Sequence, residues 1–238
     1  MPMTRNDSVL VLWDVDHTLL SVGGVSRSIY EHAFNATTGR PLRDLASMAG
    51  RTERAIITET LQLNGIEASP ALVSDFYSAL GVAAQELEGE MRNAGHSLPG
   101  AREAIAAFDS KNAVQSVVTG NIRPIARTKL SAFGLVDGLD LEVGGYGDDG
   151  SDRADLVRLA RERVEEKYSI HFTGKRTFVI GDTPHDIKGA HDAGALAVGV
   201  ATGPSPAEAL RAAGADLVLA DLTDSEPLFR AVLDSRGS

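Results

Sequence analysis

Five unbroken apolar residues, Val9–Trp13, run directly into Asp14, Asp16, His17 and Thr18. A short continuous apolar run ended by polar turn residues reads as a strand buried on both faces, the kind found in parallel sheets. Comparable runs occur at residues 114–118, 139–143 (LDLEV), 177–180, 196–200 and 216–219. Between them the apolar positions recur at helical spacing, over residues 101–108, 125–133, 154–168, 187–193, 206–213 and 228–233. Strands alternating with helices predict an α/β fold, a parallel sheet carrying helices on both faces. Residues 26–95 break the alternation. They hold no strand run, and Ile29, Ala33, Phe34, then Ile56, Ile57, Thr60, Leu61, then Leu72, Val73, Phe76, Leu80 recur at helical spacing. Ser69-Pro70 is a helix-start signature, a cap residue followed by proline in the first turn. The interval predicts an inserted set of three or four helices, entered through the Gly23-Gly24 pair as a hinge.

Composition narrows the classes. A chain of 238 residues suits one large domain, or a core with a smaller insert. Its zero cysteines exclude disulfides, thiolate metal sites and a cysteine nucleophile. A net charge of -10 without clustered Lys and Arg leaves no nucleic-acid footprint, and no apolar run is long enough to cross a bilayer. The opening MPMTRNDS leads straight into the first strand, with no room for a signal peptide, so the expected location is cytoplasmic. On so acidic a chain a phosphate-bearing ligand needs local cations, which makes any cation near the site a candidate contact.

The polar chemistry gathers at strand ends. Asp14 and Asp16 lie two apart, so on an extended backbone both side chains point the same way. Carboxylates that close repel unless a cation or a shared proton relieves them. A plain strand-to-turn cap accounts for the pair equally well when it is taken alone. Thr119-Gly120-Asn121 and Asp182 with Asp186 end two further strands. Three such clusters on one sheet edge are hard to explain as turns.

The order and spacing of DVDHT (14–18), VVTGN (117–121) and GDTPHD (181–186) resemble the haloacid dehalogenase (HAD) superfamily, in its phosphoglycolate phosphatase-like branch with a helical cap inserted after the first motif. The likeness covers essentially the whole core; the cap matches in position and helical character only. It implies a Rossmann-like core over residues 1–20 and 97–238 and an all-helical cap over 21–96. It also implies a Mg²⁺-dependent phosphatase that hydrolyses a small organic phosphomonoester through an aspartyl-phosphate. In that scheme Asp14 is nucleophile and metal ligand, and Asp182 a second ligand. Asp16 is general acid and base, and its backbone carbonyl is a further ligand. Asp186 steadies the metal, although a helix-capping role competes. The Thr119 hydroxyl and the Gly120 and Asn121 amides cradle phosphate where a helix begins, and an ordinary helix cap is compatible with that. The partner is a small-molecule phosphate ester, with no nucleic acid and no membrane, on a monomer or homodimer.

The sequence departs from the family at its phosphate-binding lysine, since no lysine lies between Lys129 and Lys167. Arg153, in the expected place, is the candidate substitute; a surface helix-start arginine is the competing reading. His17 stands where the family usually has glycine and either touches substrate or, as the leading expectation, faces solvent. His185 reads as a loop residue, Trp13 as packing beneath the site, and residues 144–151 (GGYGDDGS) as a flexible connection. The loop 39–52 is expected to face the core, with Arg51 and Thr52 as substrate contacts or, equally, a solvated arginine beside a capping threonine. A sugar-phosphate phosphomutase and a catalytically silent binding module on the same scaffold remain alternatives. Dehalogenation needs neither Asp16 nor Asp182, and the phosphonate-hydrolase reading lacks its cap lysine, because residues 26–95 contain none.

Overall fold

The structure is a computed structural model that describes residues 8–48, 50–109, 113–150 and 152–235. The N-terminal residues 1–7, Ala49 of the 39–52 loop and Ser151 of the 144–151 loop lie outside the described residues. In chain order the strands are β1 (Val9–Trp13), β2 (Leu20–Ser21), β3 (His96–Ser97), β4 (Ala113–Val117), β5 (Thr177–Gly181), β6 (Leu196–Val200) and β7 (Leu217–Leu219). The α-helices are α1 (Val25–Thr38), α2 (Glu53–Leu63), α3 (Pro70–Glu86), α4 (Glu88–Ala94), α5 (Ala101–Asp109), α6 (Arg123–Ala132), α7 (Arg153–Tyr168), α8 (Pro184–Asp192), α9 (Ala207–Ala212) and α10 (Glu226–Ser235).

Five strands form one parallel sheet in the order β4-β1-β5-β6-β7. Every residue of β1 is buried, and alternate side chains enter opposite layers. Val9, Val11 and Trp13 pack into the layer holding α5 and α10, while Leu10 and Leu12 face the α7, α8 and α9 side. That two-sided burial explains why β1 is apolar throughout rather than alternating. Trp13 carries the one polar atom of this run that needs a partner. Its indole N–H donates to Gln115 Oε1 at 3.1 Å, its ring meets Phe108 edge-on at 6.0 Å, and Gln115 Nε2 donates to Ile105 O.

Four helices, α1 to α4, lie between β2 and β3, and those two short strands pair antiparallel, Leu20 with Ser97 and Ser21 with His96. Two-residue strands carry too little pattern to be read from sequence. Ser69 caps α3 by accepting the Leu72 N–H, with Pro70 in the first turn. The long helical stretch breaks at Leu87, so α3 and α4 are separate helices. Tyr30, Phe34 and Phe76 form the aromatic centre of this segment.

Two expectations fail at the β4 edge. Residues 139–143 are not a strand, although Leu139, Leu141 and Val143 are buried. The Asp140 carboxylate accepts the Glu142 N–H at 3.0 Å, and Val143 N–H returns to Asp140 O. Aspartate thus folds the chain into a local turn that competes with sheet pairing. The following loop is no flexible connection either. Tyr146 is buried with its hydroxyl on Leu141 O, Gly145 N–H bonds Val117 O, and Gly147 N–H bonds Asn121 O. The loop braces the chain that follows β4.

Gln115→Leu keeps the volume and strands the Trp13 indole N–H without an acceptor. The expected cost is about 1–3 kcal/mol of unfolding free energy, read from urea denaturation followed by tryptophan fluorescence.

Candidate active site

Parallel strands end together, so whatever follows β4, β1 and β5 shares one edge. Asp14 leaves β1 directly, and its N–H bonds Ile180 O of β5 at 2.8 Å. Asp182 leaves β5, and Asp186 sits in the first turn of α8. One oxygen each of Asp14, Asp182 and Asp186 lies within 4.8 Å of the others, and all three residues are buried. Arg153, at the start of α7, is buried among them. Its guanidinium lies 3.6 Å from Asp14 Oδ1 and 3.2 Å from Asp186 Oδ1, and also donates to Val118 O. The surface-arginine reading of Arg153 is thereby overturned. Glycine at 189 makes this path possible, because a Cβ there would meet Arg153 Cγ at 2.4 Å.

One cation faces three carboxylates. Burial first, then the charge of Asp186, raises Asp14 well above the usual carboxylate range and lifts Asp182 to about 7. Asp182 Oδ2 and Asp186 Oδ1 are buried without a hydrogen-bond partner. An orphaned oxygen in an all-carboxylate set is what a hard divalent cation would fit. Asp186 also completes a capping box, its Oδ2 accepting the Thr183 N–H and hydroxyl. Both readings of Asp186 therefore describe the same residue.

Asp16 sits apart from this cluster, its side chain about 32% exposed. Lys129 Nζ bonds both of its oxygens, at 2.8 and 2.7 Å, and Asn121 Nδ2 bonds Oδ2 at 2.7 Å. Burial raises this carboxyl, but the Lys129 charge and these bonds outweigh it and hold Asp16 below its ordinary value. Thr119 is buried, its oxygen accepting from Asn121 Nδ2 and the Asn121 N–H, so its own proton is free to donate. The cradle differs from expectation. α6 starts at Arg123 with Ile122 as its cap, two residues beyond Gly120-Asn121, and the Asn121 N–H turns inward to Thr119.

The helical segment closes over this edge. Glu53 N–H bonds Gly120 O at 2.8 Å, and a Cβ at Gly120 would lie 1.9 Å from Arg51 O. The Arg51 guanidinium turns away to Glu59, Ser47 O and Ala55 O. Thr52 is the cap of α2, though its buried hydroxyl has no partner. Between the layers lies a cavity of about 260 Å³, lined by Asp14, Asp16, Thr119, Lys129, Tyr30 and Glu53 among others. His17, in the left-handed region at φ 61°, is exposed at its rim, and His185 is exposed beside Gly50.

Lys129, Glu53 and Tyr30 went unread in the sequence. Lys129 follows Asn121 by eight residues, close to two helical turns, so it returns to the face that meets the strand end. Glu53 stands directly after Thr52, and Tyr30 one residue past Ile29. Nothing in their local pattern marks the last two.

The family model described as haloacid dehalogenase-like hydrolase matches residues 11–191. The chain belongs to this family. Among proteins with curated descriptions, none matches the sequence. Solved structures share the fold of this HAD chain. A hydrolase from Pseudomonas syringae is similar at 21% identity and TM-score 0.67, over 93% of this chain and 98% of its own. CbbY from Rhodobacter sphaeroides, in complex with phosphate, aligns at 19% identity and TM-score 0.67, covering 91% and 95%. A predicted phosphoglycolate phosphatase from Haemophilus somnus 129pt aligns at 20% and 0.64, covering 95% and 99%.

Asp182 keeps its proton to about pH 7 in the folded chain, against 3.8 ordinarily. Between those values the folded state binds the extra proton, so this carboxyl's contribution to cation-free stability is full below pH 4 and is lost as pH rises through 7. Scanning fluorimetry should show a lower melting temperature at pH 8 than at pH 5 without added cation. A millimolar hard divalent cation should restore more at pH 8, and Asp182→Asn should shrink both effects.

Proposed function

We propose that this HAD hydrolase is a Mg²⁺-dependent phosphatase, hydrolysing a small phosphomonoester through an aspartyl-phosphate on Asp14. The observation that carries this is the separation of two kinds of carboxylate at one strand edge. Asp14, Asp182 and Asp186 crowd together in burial, while Asp16 stands beside them, paired to Lys129 and facing the cavity. Asp14, Asp182, the Asp16 backbone carbonyl and Asp186 would hold the ion. When bound, Mg²⁺ supplies the positive charge that lets an anionic nucleophile approach an anionic ester.

The chain's own groups do the rest. A phosphoryl group sits against Asp14, with the Thr119 hydroxyl, the Gly120 amide and the Arg153 guanidinium to receive its oxygens; a fork of donors suits phosphate. An Asp14 oxygen forms a bond to phosphorus while the bond from phosphorus to the ester oxygen breaks. Asp16, which must first take up a proton against the pull of Lys129 and regains it from water at the end of each cycle, gives that proton to the departing alkoxide. The ionised Asp16 then takes a proton from water as that water attacks phosphorus and releases Asp14. Lys129 favours that ionised form, the one the second half requires. Residues 21–96 act as a cap that excludes bulk water, seated through Glu53 and Arg51 on Gly120. The Arg51 side chain, engaged with Glu59, contributes shape rather than charge to the cavity, and the buried Thr52 begins α2 without lining it.

A sugar-phosphate phosphomutase would use the same residues and return the phosphoryl group to substrate. The test is hydrolysis of p-nitrophenyl phosphate with Mg²⁺, with EDTA, and with Asp14→Asn. Turnover should need the metal, and the substitution should reduce kcat on the order of 10³-fold or more. Undiminished turnover by Asp14→Asn sinks the nucleophile assignment. Slow net phosphate release with phosphoryl return to a sugar phosphate would identify a mutase.

A further inference from the structure

The half of the cavity beyond Asp16 is where a leaving group must lie. Its polar wall comes from Tyr30 and Glu53, which have no part in the phosphoryl step as derived above, and from Lys129, which acts there only through Asp16. Glu53 is buried, with Oε1 accepting from the Tyr30 hydroxyl at 3.0 Å and Oε2 from the Ile122 N–H at 3.3 Å. Each carboxylate oxygen retains further lone-pair capacity. Lys129 has three N–H donors, and Asp16 and Asn121 take all of them. Among the described residues lining the cavity, the other two long cations are also engaged, Arg51 by Glu59 and Arg153 by the aspartates.

Charge decides what this wall accepts. A leaving group bearing a carboxylate finds the carboxyls of Glu53 and Asp16 before it and no uncommitted ammonium or guanidinium to balance its own charge, which in a closed site costs affinity. An ammonium-bearing group finds Glu53, but Lys129 already acts on that carboxyl and opposes a second cation. A hydroxyl can donate to a spare lone pair of Glu53 or of the Tyr30 oxygen, whose own proton stays on Glu53, without importing charge. Its carbon skeleton can lie on the apolar lining at Ile29, Ile56 and Ile125.

We propose that the Tyr30–Glu53–Lys129 wall selects phosphate esters of small uncharged polyols and rejects those whose leaving group carries a carboxylate. The inference rests on the phosphatase reading above. A site built to hydrogen-bond a substrate hydroxyl discriminates more sharply than an apolar pocket does.

The test compares kcat/KM for glycerol 3-phosphate, 3-phosphoglycerate and phosphoethanolamine, with p-nitrophenyl phosphate as reference, all with Mg²⁺. The first two differ by a hydroxymethyl against a carboxylate at one carbon. The polyol ester should lead 3-phosphoglycerate by about tenfold or more, a difference of roughly 1.4 kcal/mol. Glu53→Gln should shrink that ratio by about tenfold, chiefly by helping the carboxylate ester. Tyr30→Phe, which frees Glu53 from its hydroxyl partner and preserves the aromatic packing, should move it in the same direction by less. Equal or better turnover of the carboxylate or aminoethyl ester overturns the proposal. So does a ratio that neither folded variant moves. If the native protein hydrolyses none of the four, the phosphatase reading falls and takes this inference with it. Turnover of p-nitrophenyl phosphate without polyol preference overturns this inference alone.

Discussion

Three carboxylates with oxygens within 4.8 Å of each other, all taken out of water, are the arrangement on which the rest depends. Burying one charge without a partner costs several kcal/mol, and like charges add to that. Arg153 offsets only part of it, which is why Asp14 and Asp182 are pushed toward their protonated forms. The scaffold imposes this strain through sheet order. β1 lies between β4 and β5 with all three parallel, so residues far apart in the chain arrive at one edge. The capping box at Thr183 and Asp186 then fixes the turn that completes the cluster.

Asp16 experiences the opposite field from a neighbouring position. Two residues from Asp14, it turns into the cavity and meets Lys129 and Asn121, which lower its pKa while its neighbour's rises. Carboxyl groups whose environments push them apart are suited to different tasks. On the proposed reading this divides a nucleophile held by a cation from a proton carrier held by an amine.

What could be read in advance follows from the physics of each feature. The buried strands announce themselves as unbroken apolar runs, because a parallel sheet leaves β1 no wet face. The catalytic candidates announce themselves as polar residues right after such runs. The 139–143 segment misleads for a definite reason. Its apolar residues are buried as a strand's would be, but Asp140 closes a turn with Glu142 that apolar pattern alone does not reveal. The 144–150 loop looks mobile because it is rich in glycine, and those glycines instead serve close packing beside β4. Lys129 and Glu53 lie on helices from different parts of the chain, and only the folded arrangement brings them to one cavity.

Glu53 joins two properties that the sequence holds apart. Its backbone N–H bonds Gly120 O, so it is part of the contact that seats the helical segment on the core. Its side chain takes the Ile122 N–H and lines the cavity beside Lys129. A carboxyl in this position keeps its place only while that segment is seated. Burial in the seated arrangement is the main cause that lifts its pKa to about 7. Under the proposed function, recognition of a leaving group through Glu53 is therefore tied to closure. A substrate that satisfies Glu53 stabilises the closed arrangement, and one that leaves its charge uncompensated favours opening, so selection and exclusion of water act through one residue.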